Sequence, residues 1–197
     1  MFKKTLFVWM IFLLAACSPA APTPVPTPSS EQIELEETAV YAAALKGLYD
    51  APSYVLISTT DTDSGGVDST GETLGYVLEN LHDVAPETVE GFRRRNAQAS
   101  ALRLDLDLGA PYSLLSRAGM SELFSQNQDG WQVFYDRYPE AWGITSLSRV
   151  GFNAALDQAL VYVGTQSHWL AGAGYYLLLI KVNGAWIIDQ QVMTWIS

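Results

Sequence analysis

Two histidines, His82 and His168, are the side chains of this sequence whose ordinary titration falls near neutral pH. His168 stands in GTQSHWLAGAG beside Trp169, with Gly172 and Gly174 close behind. A Gly- and Ala-rich connection between two strands, carrying a histidine and an indole, suits the lip of a ligand pocket. With a carboxylate in reach, His168 would serve as a general acid or base. No G-x-S-x-G, H-E-x-x-H, P-loop or G-x-G-x-x-G pattern accompanies it. A hydrolase using carboxylates and His168 is therefore the alternative, and a binding or interaction module for a protein or small molecule is the first reading. Asp105 and Asp107, two apart on one strand face, would place their α-carbons about 7 Å from each other. That suits an acid and base pair or a metal clamp, and a solvated strand face explains them equally well.

DTDSGGVDSTGE, residues 61–72, resembles the EF-hand calcium loop. Asp61 and Asp63 fall on the first and third ligand positions, Gly66 on the turn glycine, Ser69 on the ninth position and Glu72 on the twelfth. Gly65 replaces the fifth ligand, and Asp68 occupies a position that is normally apolar. Ca2+ needs six to eight oxygens, so waters would complete the set. A solvated acidic turn accounts for the same residues, and no other cofactor is implied. FRRRN, residues 92–96, spreads three cations around a helix at about 100° per residue, which suits pairing with the domain's own carboxylates better than clamping one phosphate.

The N-terminus sets Lys3 and Lys4 before an apolar run from Leu6 to Ala16. That run is short of the roughly 20 residues that span a bilayer and reads as a secretory signal, residues 1–16. Leu14-Ala15-Ala16-Cys17 resembles the lipobox of bacterial lipoproteins. The resemblance implies a diacylglycerol on the Cys17 thiol, cleavage before Cys17 and acylation of the new amine. Two or more acyl chains hold a protein stably on a membrane. Ser18 is compatible with export to an outer membrane where the host has one. Cys17 is the sole cysteine, so no disulfide or thiolate metal site is expected. Residues 17–30 then form a tether whose five prolines in 18–30 favour an extended, semi-rigid spacer. Removing Lys3 and Lys4 from the 11 basic residues leaves nine against 21 acidic ones, a net charge of −12 with both histidines neutral. Such a surface disfavours nucleic acid and anionic lipid.

Residues 31–197 have the size of one domain. Ser29 with Gln32 fits a capping box that opens a helix through Asp50, with Leu35, Ala39, Ala42 and Leu45 or Leu48 as its buried stripe. SYVLIST (53–59) reads as a strand, GETLGYVLENLHDV (71–84) as a helix, and Pro86 as the first turn of another. ALRLDLDLG (101–109) alternates leucine with charge, which predicts a half-buried strand. Helical turns follow near SLLSRAGMSELFSQ and DGWQVFYDRYPEAW. The last quarter holds four β-rich runs, ITSLSRVGFN, QALVYVGTQS, GAGYYLLLIKV and AWIIDQQVMTWIS. Asn183-Gly184 between the last two predicts a two-residue hairpin that pairs Val182 with Ala185, Ile180 with Ile187 and Leu179 with Ile188. Both faces of that hairpin are apolar, so each requires cover.

The predicted fold is α+β: N-terminal helices packed on a mainly antiparallel sheet with a C-terminal four-strand meander. SRVGFN, QALVYVG, GAGYYLLL, NGAW and WIS resemble the C-terminal part of an uncharacterised bacterial family that is often secreted or lipid-anchored, so the resemblance brings no function. The helix-rich start and the closing meander are also similar in architecture to NTF2-like folds.

Overall fold

The structure, a computed structural model, describes residues 28–60, 72–103, 105–125 and 129–197. Helix α1 (Ser30–Leu48) begins where the Ser29 hydroxyl accepts the Gln32 amide hydrogen at 3.1 Å, as the capping pattern predicts. Its buried face is not the expected one. Glu37, Val40, Tyr41, Ala44 and Leu45 point inward, whereas Leu35 is 68 % exposed and Ala39 is also exposed. Those inward positions are separated by three and four residues, so a carboxylate sits within an otherwise apolar helical stripe.

Strand β1 (Ser53–Ile57) follows, then α2 (Glu72–Asn80) and α3 (Pro86–Arg95), the latter opened by Pro86. The described residues of the alternating segment 101–109 form no strand. They make only an isolated bridge from Ala101 to Thr59, while Leu102, Leu106 and Leu108 are buried and Arg103, Asp105 and Asp107 are exposed. The period-two pattern specified which side chains are buried but supplied no neighbouring strand to pair with. Strand β2 (Tyr112–Leu115), helices α4 (Arg117–Ser125) and α5 (Gly130–Arg137), and strands β3 (Ala141–Leu147), β4 (Gly151–Phe152), β5 (Gln158–His168), β6 (Ala171–Val182) and β7 (Ala185–Ile196) complete the fold.

The strands form one sheet in the order β2-β1-β3-β5-β6-β7, with β4 added to β5. From β3 through β7 the pairs are antiparallel, which is the predicted meander. Strand β1 pairs in parallel with both β2 and β3, so the first half of the chain supplies an edge of the sheet as well as helices. The β6–β7 hairpin has the predicted register, with Val182 opposite Ala185, Ile180 opposite Ile187 and Leu179 opposite Ile188. Asn183 and Gly184 both have positive φ, 51° and 83°. At that φ a β-carbon at residue 184 is strained, so Gly184→Ala is expected to lower unfolding free energy by about 1 kcal/mol in chemical denaturation.

Alternation in the central strands divides the interior. Val161, Val163, Leu177 and Leu179 face one way, against Val40, Tyr41, Ala44 and Leu45 of α1 and Leu102, Leu106 and Leu108. Leu160, Tyr162, Tyr176 and Leu178 face the other way, against Leu74 and Val77 of α2 and Phe92 of α3. On that second face Val55 and Ile144 meet Leu123 of α4 and Trp131 and Phe134 of α5. The sheet is thus covered on both sides, and on one side by two separate helix pairs.

Candidate functional site

A cavity of about 590 Å³ lies on the second face of the sheet, lined by α4, α5 and strands β1, β3, β5 and β7. Helix α4 turns one side toward it. Arg117, Met120, Ser121 and Phe124 follow one another at spacings of three, one and three, so all four share a helical face. Leu123 on the same helix is buried in the packing with α5, which fixes the rotation of α4 about its axis.

The floor depends on glycine. Gly164 and Gly174 are cross-strand partners on β5 and β6. A β-carbon at residue 174 would lie 2.6 Å from Cδ1 of Trp195, and one at residue 172 would lie 3.0 Å from the far edge of the same indole. Their absence lets the Trp195 ring lie against β6 and donate its N–H to the Tyr162 hydroxyl at 2.7 Å. Both rings line the cavity.

One wall is aromatic. Asp129 caps α5 by accepting the Trp131 amide hydrogen, which orients the first turn of α5. Trp131 meets Phe124 edge-on at 5.1 Å between centroids, and Trp169 meets Phe124 edge-on at 5.5 Å. Tyr135 ties α5 to the sheet by donating to the Ser167 carbonyl at 2.8 Å, and burial pushes its phenol above the ordinary value. Close in sequence, Trp131, Phe134, Tyr135 and Tyr138 form a group in which Phe134 contacts each of the other three rings. Trp142 leaves the group and stacks on Tyr49 instead.

The residues singled out in the sequence divide. Trp169 lines the cavity and is 53 % exposed at its rim. His168 ends β5 outside the lining, exposed, with its ring stacked on Trp131 at 6.3 Å. Among the described residues no carboxylate bonds to it, so the hydrolase alternative gains no geometry there. Gly172 and Gly174 belong to β6 rather than to a connection, which comprises only Trp169 and Leu170. Their part is to seat Trp195. Asp105 is held by Arg103 through two bonds near 3 Å, and the Arg103 hydrogen bond lowers its carboxyl from the ordinary value, so it is not a free acid beside Asp107.

Asp61 and Asp63 of the candidate calcium loop lie outside the described residues. Glu72 opens α2. Among the described residues no group of three or more His, Cys, Asp or Glu side chains is placed to hold a metal ion. No helix among them is long and apolar enough to cross a membrane.

Sequence reasoning missed Arg117, Met120, Ser121 and Phe124, although their spacing within an expected helix was a usable signal. It also missed Tyr162 and Trp195, which come together only through the β5–β6–β7 register. Comparisons with protein-family models, with curated proteins and with solved structures return no match.

Proposed function

We propose that this chain is a binding module, held outside the cytoplasm by lipid on Cys17, that takes a small and largely apolar ligand into the cavity between α4, α5 and the sheet. The observation that carries the reading is the cavity: about 590 Å³, walled by Trp131, Trp169, Trp195, Phe124 and Tyr162. That volume falls in the range of sites that enclose small organic molecules, and such sites are mainly apolar with a few polar groups to orient the guest. Ser121, Ser146 and Gln166 are polar groups of that kind here. Secretion and lipid attachment rest on residues 1–17 alone, and the binding role rests on the cavity, so either can stand without the other.

The test is calorimetric titration of the full chain in detergent micelles with 1-naphthylacetamide, a neutral aromatic amide, against a micelle blank. Saturable binding is expected. Ser121 is exposed on the cavity side of α4, so Ser121→Trp should fill the opening without disturbing the fold. Binding is expected to weaken at least tenfold in that variant while its melting temperature stays within a few degrees of the parent. A chain that shows no heat above the blank, or a variant that binds as well as the parent, ends the reading. Mass spectrometry of the mature chain tests the anchor separately: an unmodified Cys17 sulfur overturns it.

A further inference from the structure

Arg117 is the one charged residue among the described residues that line the cavity. We infer that the ligand is a small aromatic monoanion, a carboxylate whose ring lies among the indoles and whose charged end meets the Arg117 guanidinium; this rests on the cavity being a binding site. Three observations combine. First, Arg117 is the first residue of α4 and shares the helix face of Met120, Ser121 and Phe124, so it stands at the end of an apolar lining. Second, no carboxylate forms an ion pair with Arg117 among the described residues, although acids outnumber bases about two to one in this sequence. Arg117 is exposed, whereas the half-buried arginines Arg95 and Arg149 are both paired with Glu37. Third, no Asp or Glu is among the residues lining the cavity. In a strongly acidic domain an anion is repelled from most of the surface, and this is a place where the local charge is reversed. A guanidinium offers two parallel N–H donors that match a carboxylate. The aromatic wall favours a flat body over a branched one, because edge-to-face ring contacts add to area burial.

The experiment pairs two probes of nearly the same shape, 1-naphthylacetate and 1-naphthylacetamide, titrated calorimetrically into the full chain at low and at moderate salt. The acid is expected to bind about fivefold more tightly than the amide at low salt, the size of a partly exposed ion pair. That preference should shrink as salt rises. In Arg117→Gln the preference is expected to vanish, so that acid and amide bind with equal affinity, while a melting temperature within a few degrees of the parent shows that the variant is folded. Arg117→Lys should keep part of it. Equal binding of acid and amide by the parent, or a preference for the acid that survives in Arg117→Gln, overturns the inference but leaves the cavity as a binding site. Failure of both probes overturns the cavity reading itself.

Discussion

Glu37→Ala is expected to lower the unfolding free energy by about 3 kcal/mol or more, the loss that follows when one partner of a buried ion pair is removed. Glu37 is 5 % exposed in the middle of α1. Its carboxylate accepts from the Arg149 side chain at 2.8 Å and from the Val150 amide at 2.9 Å, and it lies 2.9 Å from the Arg95 guanidinium. One side chain thus joins α1 to the end of α3 and to the turn between β3 and β4. Removing it leaves two guanidinium groups, each about one-fifth to one-quarter exposed, without a counter-charge, and a buried amide hydrogen without an acceptor. Urea denaturation of the two proteins measures the difference.

The same group gives a pH dependence with a definite sign. Burial alone would raise the Glu37 carboxyl, but the Arg149 hydrogen bond and the charges of Arg95 and Arg149 outweigh it and hold the group below its ordinary value of 4.5. A carboxyl depressed in the folded state contributes stability that is fully present above the unfolded value and lost as pH falls through the folded one. The melting temperature of the parent should therefore drop on acidification below about pH 4.5. Glu37→Gln keeps an acceptor for Val150 but carries no charge, so its curve should be flatter over that range. Parallel curves for parent and Gln variant would show that Glu37 does not carry the dependence.

Gly151→Ala is the second large effect, with an expected cost above about 3 kcal/mol, the upper end for added volume in a packed interior. A β-carbon at residue 151 would lie 2.5 Å from both Cα and Cβ of Phe92 in α3, and one at residue 91 of α3 would lie 2.8 Å from the Phe152 carbonyl oxygen. Helix and strand meet backbone to backbone. A side chain can rotate away from an intruding methyl, but here the obstacle is the helix itself, and Phe92 is fully buried. Moving it would open the packing of Phe92 on Tyr176, whose rings are 5.5 Å apart. A melting temperature lowered by ten degrees or more is expected, with loss of soluble yield at growth temperature; a shift under two degrees would contradict the backbone contact.

What the sequence disclosed is clearest where the information is local. The Ser29 cap, the Pro86 helix start and the Asn183-Gly184 hairpin with its full register follow from a few neighbouring residues each. Glu37 shows the opposite case. Within SEQIELEETAVYAAALKGL it resembles its acidic neighbours, and Leu35 is the more natural inward residue. Only Arg95 and Arg149, 58 and 112 positions away, make the carboxylate the better occupant. Leu102, Leu106 and Leu108 are buried as their alternation implies, but whether a half-buried segment becomes a strand depends on a partner that a one-dimensional pattern does not contain. The cavity divides in the same way. Trp169 was visible as a rim residue beside a histidine. Trp195, 26 positions later, joins it only because glycines at 172 and 174 let its ring cross the neighbouring strand.

Helix α1 spans about 28 Å from one end of the sheet to the other. Its first turns meet Lys181 and Trp186 beside the β6–β7 turn, and its last residues lead to Tyr49 beside Trp142 and β1. The ligand chamber lies near that far end, by Trp169 and Gln166. The described chain thus enters the domain through the first turns of α1, at the end away from the cavity. A solute approaching the opening would therefore not meet the segment that leads into α1, so changes at the start of that helix are separated from the cavity by the length of the helix.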